Sequence, residues 1–173
     1  MVILKSKNFI LRPYGKIDEK SLVENINDKN VSKFMSTVPF PYRLKDARYW
    51  INRSKKAERK KRKNEINFAI DIKGKVVGGI GLMHLEKSHK AEIGYWIGRN
   101  YWNIGIMTNA VKLTCDFGFK KLRLKRIYAK VFLKNKVSAR VLEKNGFKLE
   151  GLMRKEMTKK GKLFDSYLYS KLK

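Results

Sequence analysis

Two stretches of the sequence hold residue types and spacings that could do chemistry. The first is Glu92-Ile93-Gly94-Tyr95-Trp96-Ile97, followed by Gly98-Arg99-Asn100-Tyr101 and then Trp102-Asn103-Ile104-Gly105-Ile106-Met107-Thr108. An alternating segment ends, the chain turns at Gly105, and a helical stripe begins. A helix starting there leaves three or four backbone N–H groups without intrahelical partners, and these donors converge with the positive end of the helix dipole on an anion. The spacing fits neither Gly-x-x-x-x-Gly-Lys-Ser/Thr nor Gly-x-Gly-x-x-Gly, which argues against a nucleotide-hydrolysing P-loop and a dinucleotide fold. By itself, a glycine before a helix reads first as a structural turn.

The second stretch is Asn135-Lys136-Val137-Ser138-Ala139-Arg140-Val141-Leu142, continuing as Glu143-Lys144-Asn145-Gly146-Phe147. Asn135 is a good N-cap, Val137, Val141 and Leu142 are expected to face the core, and Ser138 lies one turn in. Taken alone, this is a capped helix with one tolerated polar residue.

The elements that must position these stretches follow from periodicity. An alternating strand runs to about Arg12, and a helix starts near Asp18 with Leu22, Val23 and Ile26 in register. Pro39 and Pro41 hold an extended loop. A second helix begins near Asp46, with Ala47, Trp50, Ile51, Ser54 and Ala57 on one face and a basic run from Lys55 to Lys63 at its far end, where cations suit the dipole. From Asn67 the period becomes two: a meander turns at Lys73-Gly74, returns through Val76–Leu85, and adds Ala91–Ile97. A helix carrying Met107, Ala110, Val111, Thr114 and Phe117 leads to a strand at Ile127–Leu133. The Asn135–Asn145 helix stops at Gly146, and Phe147–Met153 with Leu163–Leu172 closes the chain as a hairpin. The order βαα, βββ, α, β, α, ββ predicts an α+β domain with one mixed sheet, spanning residues 1–173 as a single unit.

Lys and Arg number 42 against 15 Asp and Glu, a formal net charge of +27, while 43% hydrophobic and 12% aromatic residues argue for a folded chain. Such a surplus either attracts polyanions such as RNA or is a solvated lysine surface. The lone Cys115 can form neither an internal disulfide nor a zinc site, so no metal is expected and a cytoplasmic setting is. There is no signal-peptide core and no apolar run long enough to span a bilayer, so no membrane association is expected.

Together and in order, these segments resemble the GNAT superfamily of acyl-CoA N-acyltransferases, and within it the RimJ/RimL-like branch, which acetylates protein N-terminal amines. The likeness runs from Phe9-Ile10-Leu11-Arg12-Pro13 through Ile93-Gly94-Tyr95-Trp96-Ile97, Tyr101-Trp102-x-x-Gly105 and Asn135-x-x-Ser138 to Glu143-Lys144-Asn145-Gly146-Phe147 and Asp165-Ser166-Tyr167-Leu168-Tyr169-Ser170. It implies a mixed, mostly antiparallel central sheet with a splayed strand pair and about four flanking helices. It also implies acetyl-CoA as co-substrate, with pantetheine pairing to backbone near Ile97. The pyrophosphate would meet the N–H groups around Trp102, Asn103, Ile104, Gly105, Ile106, Met107 and Thr108, and the Asn135 amide would lie at the far wall. Where the family's loop reads Gln/Arg-x-x-Gly-x-Gly/Ala, this chain has Trp102 and Met107 at the outer positions. The Met107 side chain is expected to turn into the core beside Ala110 and Val111.

Amide formation from a thioester requires a neutral amine, an oxyanion donor and an acid for the departing thiolate. Many GNAT enzymes supply the acid from a tyrosine at the position held here by Leu142, so the resemblance shifts that role to Ser138. Glu92 is the candidate for accepting the amine proton through water, its bland alternative being a strand-face partner for a lysine. His84 and His89 are expected to be surface histidines. The implied function is N-acetylation of a primary amine, expected to be the N-terminus of a protein or peptide of the ribosomal-protein type, by direct attack in a ternary complex. The rival is a catalytically weak GNAT-fold module binding RNA or the ribosome through its basic surface. If Lys55–Lys63 and Lys120, Lys121, Arg123, Lys125 and Arg126 form a polyanion footprint, filter binding will show sequence-indifferent RNA retention, with a log K against log salt slope of about −0.7 to −0.9 per phosphate. A solvated lysine face will show no such slope.

Overall fold

The structure is a computed structural model that describes residues 2–60 and 63–173. The chain opens with two short strands in place of the single one expected, β1 (Leu4–Lys5) and β2 (Ile10–Arg12), because Ser6 N–H donates to the Phe9 carbonyl at 2.9 Å and turns the chain between them. α1 (Glu19–Ile26) follows a single 3-10 turn. Next comes a four-residue helix, α2 (Lys29–Ser32), too short to leave a periodic signature and held by Asp28, whose carboxylate accepts Asn30 N–H at 2.6 Å. α3 (Leu44–Arg59) starts two residues ahead of Asp46, because the Asp46 carboxylate reaches back to Arg43 N–H at 2.8 Å and so belongs to the first turn. Of the basic run at its end, Lys61 and Arg62 lie outside the described residues.

The meander is present as β3 (Ile66–Ile72), β4 (Lys75–Met83) and β5 (Lys90–Ile97), with the expected Lys73-Gly74 turn in the left-handed region. α4 (Ile106–Lys120), β6 (Arg126–Phe132) and α5 (Lys136–Lys144) complete the crossover. The closing hairpin, β7 (Lys148–Lys159) and β8 (Lys162–Leu172), is longer than periodicity indicated. Its tip, residues 154–162, is largely exposed and polar apart from the half-buried Met157, which hides the period-two pattern. Among the described residues there are five α-helices, one more than expected, the extra one being α2.

One eight-stranded sheet runs in the order β1-β2-β3-β4-β5-β6-β8-β7. Every neighbouring pair is antiparallel except β5 and β6. Those two pair in parallel through Lys90↔Arg126, Ala91↔Ile127 and Glu92↔Tyr128, and beyond that the strands part. The implied splay is therefore present. α4 and α5 cover one face over Phe68, Ile70, Leu82, Ile93 and Ile127. On the other face α1 and α3 pack through Leu22, Ile26, Ala47 and Ile51 on Tyr14, Ala69, Val76 and the partly buried Trp96.

A buried charge cluster ties the first elements to the sheet. The Arg12 guanidinium makes a two-pronged contact with Asp18, both at 2.8 Å, and reaches Asp71 at 2.7 Å. Asp18 is fully buried and also accepts Gly15 N–H at 2.6 Å. The hydrogen bonds to Asp18 outweigh desolvation and hold Arg12 firmly protonated. Removing one partner of such a cluster leaves an uncompensated buried charge and costs about 3–5 kcal/mol. Asp18→Ala should therefore lower the urea midpoint of unfolding by a matching amount, and an unchanged midpoint would show that Asp71 alone suffices.

Candidate active site

Where β5 and β6 part, a cavity of about 610 Å³ opens through the sheet. Glu92, Asn135 and Ser138 all line it, drawn from β5, the cap of α5 and the first turn of α5. Trp102–Thr108 are not part of that lining and form the approach to α4 instead. Along β5 the side chains alternate between the two faces. Ile93, Tyr95 and Ile97 join the core under α4 and α5, whereas Trp96 joins the core under α1 and α3. Glu92, of the same parity as Trp96, thus belongs to the α1/α3 side. β4 passes beneath as Gly78-Gly79-Ile80-Gly81, and at Gly79 a Cβ would sit 2.3 Å from the Tyr14 hydroxyl and 2.6 Å from Trp96 Nε1. Only glycine lets these two rings meet over the strand.

Gly105 has φ +80°, and an added Cβ there would meet nothing within 4 Å. The first helical N–H with an i−4 partner is that of Asn109, which donates to the Gly105 carbonyl at 3.1 Å. The N–H groups of Ile106, Met107 and Thr108 precede it and project from the helix end. Met107 is buried with Ala110 and Val111, as expected, so its bulk does not obstruct that end. The indole N–H of Trp102 donates to the Ile97 carbonyl at 3.0 Å, so these two candidate contact residues are bonded to each other and fix the loop against the end of β5.

Asn145 contributes what its motif did not reveal. Its buried amide donates to the Thr108 carbonyl at 3.1 Å and to the Val141 carbonyl at 2.9 Å, joining the first turn of α4 to the last turn of α5. The sequence marked it only as the end of a helix. Val137 corrects an expectation: it is 66% exposed and does not face the core. The packed stripe of α5 begins two residues later, at Ala139, and continues through Val141 and the fully buried Leu142.

The Asn135 carboxamide oxygen accepts Ser138 N–H at 3.3 Å and so caps α5 as expected. Ser138 Oγ lies 2.9 Å from the Tyr95 hydroxyl, which is also 3.2 Å from the Ser138 carbonyl. Burial raises the pKa of Tyr95 well above the ordinary phenol value, against a smaller lowering by the Ser138 contact, so the phenol keeps its proton at neutral pH. The single phenol proton goes either to the Ser138 carbonyl, in which case the serine hydroxyl donates to the Tyr95 oxygen, or to Oγ, in which case the serine proton is free to point into the cavity. Sequence reasoning passed over Tyr95; the signal was its place on β5, three residues beyond Glu92.

The Glu92 carboxylate meets His84 Nδ1 at 3.1 Å, with its side chain 14% exposed and that of His84 72% exposed. Its partner is therefore a histidine and not the lysine of the bland reading. His89 is exposed and contacts Glu86 at 3.0 Å. Both histidines are surface residues, as expected. Cys115 is buried, and desolvation pushes its thiol up to about 12, so it stays protonated. Among the described residues no group of three His, Cys, Asp or Glu side chains could hold a metal ion, and no helix is long and apolar enough to cross a membrane.

A mixed, mostly antiparallel sheet whose one parallel pair splays, with helices packed on both faces, is the frame of an acyltransferase fold. Comparison with known proteins agrees. Residues 8–148 match the family described as the acetyltransferase (GNAT) domain, and the chain belongs to that family. It is 33% identical over 174 residues to the uncharacterized N-acetyltransferase p20 of Bacillus licheniformis, covering 100% of this chain and 97% of that one. It is 34% identical over 111 residues to the putative ribosomal N-acetyltransferase YdaF of Bacillus subtilis, covering 64% of this chain and 61% of YdaF. Among solved structures, the microcin C7 self-immunity acetyltransferase MccE in complex with acetyl-CoA and AMP superposes with a TM-score of 0.86 at 26% identity, covering 97% of this chain and 94% of that one.

The protein is an N-acetyltransferase, and enzymes of this family use acetyl-CoA. The left-handed turn at Gly105, the open space above it and the projecting N–H groups suit the pyrophosphate of that co-substrate. A β-branched residue at Gly105 would cost about 1–2 kcal/mol of left-handed backbone strain and fill the space over those donors. Millimolar acetyl-CoA should raise the melting temperature of the natural protein, a ligand at about 100 times its Kd adding about 2.7 kcal/mol. Gly105→Val should remain folded and lose that shift; a variant that keeps it would place the pyrophosphate elsewhere.

Proposed function

We propose that the chain, acting as one domain over residues 1–173, transfers an acetyl group from acetyl-CoA to the N-terminal amine of a protein or peptide. The acceptor would be of the ribosomal-protein type, and the setting the cytoplasm. The observation that carries this reading is the placement of Ser138 and Glu92 on one cavity, the serine from α5 and the carboxylate on the α1/α3 side of the sheet. The printed name of YdaF supports a protein acceptor. Excess positive charge over the rest of the molecule favours a peptide end over a free polyamine, which the surface repels.

The co-substrate supplies an activated acetyl thioester. Its pyrophosphate would rest on the N–H groups from Trp102 through Asn103, Ile104, Gly105, Ile106 and Met107 to Thr108. Its pantetheine arm would follow the unpaired edge of β5 near Ile97, with the Asn135 amide at the far wall. An acceptor entering from the α1/α3 side meets Glu92, which takes the ammonium proton through water and leaves a neutral nucleophile. The amine attacks the carbonyl carbon, the C–S bond breaks, and the hydroxyl of Ser138 donates to the departing sulfur. Tyr95 orients Ser138 through its contacts with Oγ and with the Ser138 carbonyl. The ammonium loses two protons on its way to the amide: the first passes through water to Glu92 and on to solvent, and the second, lost from the nitrogen as the C–S bond breaks, restores through water the proton that Ser138 gives to the sulfur.

Ser138→Ala should lower kcat by about 10²–10⁴-fold with little change in acetyl-CoA affinity, because the donated proton matters only as the sulfur leaves. Mass-detected acetylation of a peptide panel, beside a thiol-release assay, measures this, and full turnover would assign the acid to solvent. Glu92→Gln should lower kcat while the acetyl-CoA melting shift persists, and an unchanged kcat would return Glu92 to a purely structural role.

A further inference from the structure

We propose that the acceptor side of the cavity selects an amine borne by a bulky apolar or aromatic group, so that the preferred peptide begins with a residue such as Phe, Leu or Met and not with Gly, Ala or Ser. The inference rests on the acetyl-transfer reading of the cavity above.

The first observation is the wall. Tyr14 and Trp50 pack edge to face with ring centroids 6.1 Å apart, and Trp96 from β5 joins the same apolar cluster. Phe34 leans on Phe132, at 6.2 Å, across the floor of the splay, and Tyr49 stands at the mouth, 71% exposed. These rings all line the cavity. A first residue with a small side chain would leave that surface wet, whereas a ring or a branched chain would displace water from it.

The second observation is charge, and it runs against the rest of the molecule. Two cations line the cavity, Arg53 and Lys130, and each is tied to a carboxylate that does not line it, Arg53 to Glu65 at 2.9 Å and Lys130 to Glu156. Two carboxylates line it, Asp46 and Glu92. Among the described residues neither forms an ion pair with a lysine or arginine side chain: Asp46 accepts the Arg43 backbone N–H, and Glu92 meets His84 and acts on Lys130 only through its field. Within a protein of net charge +27, the acceptor cavity thus keeps both its cations neutralised and its anions available. Such a site draws in an ammonium group and disfavours phosphate or carboxylate beside it. Aromatic walls alone would also suit a nucleobase, but the absence of an untied cation in the lining argues against a nucleotide-bearing amine.

The test is a competition among peptides identical except for the first residue, with Phe, Leu, Met, Ala, Ser, Gly and Glu compared by mass-detected acetylation, alongside phenethylamine, spermidine and an aminoacyl nucleotide analogue. The expected result is a kcat/KM at least tenfold higher for Phe, Leu and Met than for Ala, Ser and Gly, with Glu lowest. Tyr49→Ser lies at an exposed position, so folding is not at risk. It should shrink the Phe-to-Ala ratio through KM while the acetyl-CoA melting shift persists, and an unchanged ratio would overturn the role of the wall. A flat or inverted ranking of peptides, or preference for spermidine or the nucleotide analogue, would overturn the proposal. If phenethylamine is acetylated and no peptide is, the selection for an apolar amine stands and the protein N-terminus reading fails. If no amine is acetylated although acetyl-CoA still raises the melting temperature, both fail.

Discussion

Three residue pairs hold β5 to β6, and the molecule is organised around the point where that pairing stops. Backbone N–H and C=O groups inside a folded protein must find partners, so an unpaired edge in the middle of a sheet is tolerated only where water or a ligand can reach it. The sheet does not come apart because each strand is secured on its other side, β5 to β4 over six residue pairs and β6 to β8 over seven. The opening therefore creates a slot with two polar edges and rigid walls. Under the proposed function, a donor following one edge and an acceptor arriving from the opposite face would meet in it.

The two faces of the sheet supply different chemistry to that slot. α5 brings a hydroxyl, held by Tyr95 from below and by the Asn135 cap from its own first turn. The α1/α3 side brings aromatic rings and carboxylates. Asn145 then couples the α4 end to the α5 end, so the anion-facing N–H groups and the Ser138 hydroxyl keep a fixed relation. With only 15 acidic residues against 42 basic ones, placement of the acids matters more than their number. Asp18 and Asp71 bind Arg12 to fix the first strands, Glu65 and Glu156 tie the cations of the cavity, and Glu92 stays inside it.

Much of this was legible in the residues. The alternation through β3–β5, the Lys73-Gly74 turn, the α4 stripe with Met107 turned inward and the Gly146 stop all follow from local rules, because each depends on neighbours within a turn or a strand. Ser138 and Glu92 stood out because their types could move a proton. What escaped was set by length or by distance. α2 is one turn long and leaves no period, Val137 has a core-type side chain ahead of the packed part of its helix, and the hairpin tip is largely polar and exposed.

The sequence by itself determined the order of the elements, the helix start that can hold an anion and the family to which the whole pattern belongs, since these reside in periodicity, caps and motifs along the chain. Only the tertiary structure decided that Tyr95 meets Ser138, 43 residues away, and that Glu92 meets His84. It alone placed Arg53 and Lys130 in the cavity lining already paired with Glu65 and Glu156, beside two carboxylates that, among the described residues, form no ion pair with a lysine or arginine. The reason is physical: a side chain's charge and proton are governed by the groups within a few ångströms of it, and at this site those groups come from strands and helices far apart in the chain.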